Sequence, residues 1–374
     1  MNLKDYLIPV SDDFIPSTGK GNFGHHIIMY RGEPGCIIPA SVKAAILGVP
    51  EDRFSNGGGE IKLPEQARRQ LYALSAGSAG DIMDLGNLRT GKTLADTYFG
   101  LQHVLNELSE QQVVTLIIGG TTDVFYGSYL AFADEKLTFT TIAPYLRFPD
   151  GEEQHPLNTV IYNNLPVHFC NVGYQSYYVT HKDLDFLKTK FAETYRVGEV
   201  KSNISDSEPV IRDTDLLALS INAVKYSDAP AASVPSPNGF TGEDVCQLAF
   251  YAGLGYRCKS MGIFDVLPQN DFQNITAKLV AQIAWYFIEG VKRRNRESPK
   301  TAIQNFKKYL IYYDQLHHNL CFYKNIKTER WWMEVPSLKG EQYSEMISCT
   351  PDDYTKATEQ EIPDRWWKMY QKIN

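Results

Sequence analysis

The run Val113-Val114-Thr115-Leu116-Ile117-Ile118, closing on Gly119-Gly120-Thr121-Thr122-Asp123, constrains the fold of this chain most. Apolar and β-rich without polar alternation, it leaves no face for solvent, so it reads as a parallel strand buried on both sides. The paired glycines that follow mark a functional loop at the strand end. Leu137-Thr138-Phe139-Thr140-Thr141-Ile142 leads in the same way into Ala143-Pro144-Tyr145-Leu146-Arg147, and Leu216 to Ser220 leads into Ile221-Asn222-Ala223-Val224. Helical patterns alternate with these runs. Asp96 to Leu108 carries Leu101, Val104, Leu105 and Leu108 at three- and four-residue spacing. Lys182 to Glu193 and Gly242 to Leu254 read likewise, with Thr241 as N-cap of the latter and Asp244 three residues on as an imperfect capping box. Ile275 to Val291 is the most apolar helix, and its Trp285 and Phe287 are assigned to the core. Strand and helix in alternation predict an α/β fold, a three-layer αβα sandwich around a central, mostly parallel sheet. In such sheets the functional crevice lies beyond the carboxyl ends of the strands.

With 374 residues, 43% of them hydrophobic, the chain can bury one large α/β domain, read here over residues 43–298. Residues 1–42, rich in Gly, Pro and aromatics, read as an irregular N-terminal arm. Residues 299–374 form an aromatic-dense C-terminal extension with two tryptophan pairs, Trp331-Trp332 and Trp366-Trp367, each preceded by an arginine. Two fates fit such a segment: packing back onto the domain, or a docking surface for a protein partner or a homo-oligomer, because Trp, Tyr and Arg dominate interface hot spots. The net charge of -7 argues against a nucleic-acid binder. The basic run Lys292-Arg293-Arg294-Asn295-Arg296 reads as a solvated helix end. Six scattered cysteines without C-x-x-C spacing predict reduced, mostly buried thiols. No stretch approaches the roughly 20 apolar residues of a membrane span, and the first residues lack a signal-like apolar block, so a cytoplasmic location is expected.

The strand ends, taken in order, resemble the arginase, agmatinase and formimidoylglutamase family, the ureohydrolases. That family writes Gly-Gly-x-His-Asp, Asp-Ala-His-x-Asp-x-Arg and Ser-x-Asp-x-Asp at three successive strand ends. Other segments carry the same resemblance: Ile46 to Asp52, Asn56-Gly57-Gly58-Gly59 with the helix from Pro64 to Tyr72, and Asp81 to Asn87. So do Asn171 to Ser176, which is similar to the formimidoylglutamase branch, Ala229 to Thr241, and Ile263 to Asp271. The similarity covers roughly Ala44 to Lys292, each motif weak alone and specific in combination.

The resemblance implies an arginase-like fold and, in the family, two Mn2+ ions that generate a hydroxide to attack guanidino or formimino carbon. Two histidines and four aspartates hold those ions. In this chain Thr122, Thr141, Ala143, Tyr145, Asn222 and Val224 stand at the six ligand positions, while Asp123, Arg147 and Ser220 fit the pattern. Asp265 stands where a catalytic glutamate is usual. Ala143 and Val224 coordinate nothing, and the hydroxyls and the amide bring no charge, so no manganese or other cofactor is expected. The expected product is a vestigial pocket of Thr121, Thr122, Asp123, Thr141, Ala143, Tyr145, Arg147, Ser220, Asn222 and Val224 beside a vestigial Asp265; the alternative is that Tyr145 and Val224 fill it.

Three functions are compatible with this pattern. The leading one is a catalytically inactive ureohydrolase retained as a scaffold or binding protein. The second is a hydrolase of C–N bonds in linear amidines with a rebuilt metal site, for which Asp150, Glu152 and His155 are the sequence candidates. The third is a metal-free sensor holding a small guanidino or amide ligand. Asn56 to Gly59 lacks the Lys-Ser/Thr of a phosphate loop, and the adjacent pairs His25-His26 and His317-His318 diverge too far to share an ion.

Overall fold

In a computed structural model the described residues are 3–11, 19–33, 36–53, 62–77, 81–146, 160, 167–314 and 318–374. Ten strands form one sheet: β1 (Leu7–Ile8), β2 (Ile28–Met29), β3 (Ala44–Gly48), β4 (Ile82–Leu88), β5 (Val114–Ile118), β6 (Leu137–Ile142), β7 (Val167–Tyr174), β8 (Glu193–Arg196), β9 (Leu216–Ser220) and β10 (Ser260–Phe264). Their order is β1-β4-β3-β5-β10-β9-β6-β7-β8, with β2 also beside β4. Among the described residues of this sheet, only β1 runs antiparallel to its neighbour. The apolar runs read from sequence are therefore interior strands of a mostly parallel sheet.

Alternation along each strand feeds two cores, which is why these strands tolerate no polar face. On β3, Ala44 and Ile46 enter one core and Ala45 and Leu47 the other; on β9, Leu217 and Leu219 oppose Leu216 and Ala218. The first core is closed by the helices Leu63–Ala73, Gly242–Leu254 and Ile275–Lys292, and the second by Leu94–Glu110. This is the three-layer αβα arrangement expected. Helix Gly242–Leu254 begins at Thr241, whose side chain accepts from the Asp244 amide in a complete capping box. Of the two aromatics assigned to the core of Ile275–Lys292, Phe287 is fully buried, while Trp285 is half-buried and donates to the Ser75 carbonyl.

Gly253 and Gly290 let those last two helices touch backbone to backbone. A Cβ on Gly290 would lie 2.4 Å from the Phe250 carbonyl oxygen and 2.8 Å from the Gly253 Cα. Backbone cannot yield as a side chain tip does, so Gly290→Ala should lower stability by about 1–3 kcal/mol, read as the urea midpoint.

Two readings of local structure need correction. The helix expected over Lys182 to Glu193 spans only His181–Thr189; Phe191 adopts a left-handed φ of 54°, and Glu193 opens β8. The N-terminal arm is more regular than its composition predicts, because its residues supply β1 and β2 to the sheet edge.

The C-terminal extension builds a second sheet, an antiparallel meander of β11 (Phe306–Tyr313), β12 (His318–Asn325), β13 (Trp331–Val335) and β14 (Glu345–Cys349). Helices Pro351–Thr358 and Asp364–Ile373 follow. Adjacent residues on a strand face opposite ways, and the Trp331-Trp332 pair uses both. Trp331 packs with Tyr309 and Tyr354 on the helix side. Trp332 meets Phe306 and lies under the Arg212 guanidinium, 4.2 Å from its ring centre, on the side of the parallel sheet. Trp366 is 1% exposed and donates to the Glu334 carbonyl. Of the four tryptophans proposed for docking, these three are consumed by internal packing, and Trp367 alone is 38% exposed. All six cysteines are free and all but Cys321 are buried. Among the described residues no helix is long and apolar enough to cross a membrane.

Candidate functional site

The order of strands decides where the motif residues meet. After β5 the chain leaves for β6, and β10 and β9 later fill the gap between them. The carboxyl ends of β5, β10, β9 and β6 are thus neighbours, the place where open α/β sheets build sites.

Asp265 follows β10 with a left-handed φ of 68°, its backbone amide bonded to the Gly120 carbonyl. Its carboxylate accepts from the Thr122 amide at 3.0 Å, from the Ser220 hydroxyl at 2.5 Å and from the Thr122 hydroxyl. Burial raises its carboxyl above the ordinary value; the hydroxyl and amide donors oppose that, and nearby Asp123 adds to it. Ser220 also accepts from the Asn222 amide, at 3.3 Å, which ties this group to Asn222 just beyond β9. The Asn222 side chain donates to the Tyr145 hydroxyl at 2.7 Å and to Ser233 at 3.0 Å, and accepts from the Val234 amide at 2.7 Å.

Thr141 accepts from Asn171 at 3.0 Å, and Asn171 also donates to the Ala143 carbonyl. Thr121 donates to Asp123 at 3.1 Å. Val224 is fully buried in the apolar core and Ala143 is 7% exposed. Arg147 lies outside the described residues, as do Asp150, Glu152, His155 and the Asn56 to Gly59 loop. The strand ends therefore bring together Thr122, Ser220 and Asp265 in one hydrogen-bonded group and Tyr145 and Asn222 in an adjoining one. Ser233 and Asn171, the partners that complete these groups, were not singled out from sequence, although both lie in segments that carry the family resemblance.

No family model matches the chain. A formimidoylglutamase of Staphylococcus carnosus is 23% identical over 265 residues, covering 65% of this chain and 85% of its own length. A Staphylococcus haemolyticus formimidoylglutamase is 23% identical over 226 residues, covering 55% and 71%. Among solved structures, Bacillus subtilis formimidoylglutamase superposes with a TM-score of 0.65 at 17% identity, covering 76% of this chain and 97% of that one. Trypanosoma cruzi formiminoglutamase with Mn2+ gives a TM-score of 0.62 at 17% identity over 68% and 95%. The chain is a relative of the ureohydrolases, close to the formimidoylglutamases.

Against the two Mn2+ ions of the T. cruzi formiminoglutamase structure, the donors at this ureohydrolase-like site are a poor fit. Two adjacent dications call for several carboxylates or imidazoles. The strand-end groups instead offer hydroxyls, two amides and the carboxylates of Asp123 and Asp265, the latter already engaged by three donors.

Elsewhere, His168, Cys170 and Glu193 offer ligand atoms within 4.8 Å of one another, all buried. Ion pairing accounts for this cluster. Glu193 accepts from His168 at 2.6 Å, Arg365 at 3.2 Å and the Tyr195 hydroxyl. Burial alone would raise the Glu193 carboxyl, yet Arg365 and these donors hold it far below its ordinary value. Burial and the Glu193 charge push the Cys170 thiol up, away from the thiolate a metal would need.

Proposed function

We propose that this chain keeps the ureohydrolase scaffold without its binuclear metal chemistry and acts as a binding or scaffolding protein. The supporting observation is the strand-end network itself. Thr122, Ser220 and Asp265 satisfy one another, Asn222 is closed on Tyr145, Ser233 and the Val234 amide, and Val224 is part of the apolar core. A ligand set for two dications would have to break each of these contacts.

The test is metal content after purification with Mn2+ and removal of loosely held ions, together with a formimidoylglutamate assay. Near-zero manganese per chain and no hydrolysis above the uncatalysed rate are expected. A site held at 100 times its Kd would add about 2.7 kcal/mol of stability, so Mn2+ should also leave the melting temperature unchanged. Two retained ions per chain with turnover would overturn the proposal in favour of a rebuilt hydrolase.

A further inference from the structure

Beyond the amino ends of β3, β5 and β10, at the other end of the sheet from Asp265, lies a cavity of about 730 Å³. Small-molecule sites commonly span about 300–1,000 Å³. Strand order builds its floor. Lys43 precedes β3, Val113 precedes β5 and Lys259 precedes β10, and these three strands lie side by side in that order. The Val114 amide bonds the Lys43 carbonyl and the Thr115 amide the Lys259 carbonyl, which holds the two lysines on either side of β5. At about 4.8 Å per strand their backbones stand about 10 Å apart, a spacing that a chain of linked phosphates spans.

The lining is strongly cationic in a chain whose net charge is -7. Lys43, Arg257, Lys259, Lys292, Arg294 and Arg296 line the cavity, with Asp215 the one carboxylate among the described lining residues. Four of these cations have counter-ions. Arg257 is 2.8 Å from Asp215, Lys259 2.6 Å from Glu135, Lys43 3.3 Å from Asp81 and Lys292 3.4 Å from Glu289. Arg294 and Arg296 pair with no carboxylate among the described residues. Arg294 donates to the Gly253 carbonyl at 2.6 Å and the Cys258 carbonyl at 3.0 Å, and exposed Arg296 to the Gln112 side-chain oxygen at 3.3 Å. Neutral acceptors place these guanidinium groups without balancing their charge. Six cations thus meet four carboxylates, and a positive surplus in a concave site draws anions. The run Lys292 to Arg296 is therefore only partly the solvated helix end expected from sequence: Arg293 is 67% exposed, whereas Arg294 turns back onto Gly253 and Cys258.

Tyr256 supplies the second observation. It lines the same cavity and is 41% exposed. An exposed ring beside a cationic groove suits a ligand that joins a base to phosphates, because bases stack on aromatic faces while cations hold the phosphate charge. Arginine adds directed N–H donors to phosphate oxygens.

We propose that this cavity binds a nucleoside di- or triphosphate. Arg296, Lys259 and Lys43 take the phosphates, Arg294 adds to the positive field, and Tyr256 takes the base. The cavity shares no residue with the group around Asp265, so the proposal stands or falls independently of the function proposed for that site.

Calorimetric titration of the full chain with ATP, tripolyphosphate and adenosine, in metal-free buffer at about 0.15 M salt, tests this. ATP should bind one to one with Kd at or below about 1 mM. Tripolyphosphate, lacking the base, should bind several-fold more weakly, and adenosine, lacking the phosphates, should not bind. Arg296→Ala should weaken ATP at least about fivefold with an unchanged melting temperature. Tyr256→Ala should bring ATP to the affinity of tripolyphosphate and leave tripolyphosphate itself unaltered. No saturable binding of ATP, equal binding of ATP and tripolyphosphate, adenosine binding as tightly as ATP, or unaltered ATP affinity in either folded variant would overturn the proposal.

Discussion

Arg365→Leu is expected to destabilise the protein by about 3–5 kcal/mol, the range seen when one partner of a buried ion pair is removed. The Arg365 side chain is 8% exposed and reaches Glu193 at 3.2 Å and Asp213 at 2.9 Å, both carboxylates nearly buried. It also donates to the Ser348 carbonyl, while Ser348 returns its amide and hydroxyl to Asp213 at 2.7 and 2.6 Å. One guanidinium, on a helix of the C-terminal segment, therefore pairs with two acids of the α/β domain. Leucine would leave both charges in a low-dielectric seam with only neutral donors.

The pH dependence follows from the same contacts. The Glu193 carboxyl is held below its ordinary value of 4.5, so the stability it contributes is complete above that value and lost as pH falls through the lower folded value. The gap between wild type and Arg365→Leu should be widest near neutrality and narrow in acid. Urea midpoints between pH 3 and 8 measure this, and limited proteolysis should show earlier cleavage after residue 300 in the variant. Equal midpoints at neutral pH would show that the C-terminal layer is held by its aromatic packing alone.

The second large effect is expected at Arg68, 3% exposed, on helix Leu63–Ala73. Its guanidinium donates to Asp84 at 2.8 Å, to Asn87 at 2.6 Å and to the Gly86 carbonyl, and so braces the irregularity within β4 where Gly86 has a φ of 77°. Asp84, fully buried, accepts further bonds from the Tyr72 hydroxyl at 2.7 Å and the Gly86 amide at 2.8 Å. Arg68→Met should cost about 3–5 kcal/mol by stranding that carboxylate. The double change Arg68→Met with Asp84→Asn should recover part of the loss, because no net charge then remains buried. A double variant as unstable as the single one would assign the cost to lost packing instead.

Much of this architecture is legible in the chain. The runs at Val113 to Ile118 and Leu216 to Ser220 carry no polar alternation, and strands with two apolar faces belong inside a covered parallel sheet. The Thr241 cap and the Ile275 to Val291 pattern are equally local signals, decided by neighbours three or four residues away. The aromatic C-terminal segment was visible as a change in composition, but not as a four-stranded antiparallel meander. For Trp331 and Trp332 the sequence left both packing and docking open; alternation across a strand puts the two rings on opposite sides, and no sequence feature tells whether each side is occupied.

At the strand ends the sequence determined which residue types occupy the positions that matter. Thr122, Thr141, Ala143, Tyr145, Asn222 and Val224 cannot supply the charge of six ligands, whatever the fold does. Only tertiary structure decided what those residues do instead. Thr122 and Asp265 are 143 positions apart and share a hydrogen bond because β10 inserts beside β5; Asn222 and Tyr145, 77 apart, share one across β9 and β6. The same holds for Arg365 with Glu193, 172 positions away. Local pattern records which faces a segment must bury, but buried charges and hydrogen bonds are matched between segments, and the tertiary arrangement of strands and helices sets those pairs.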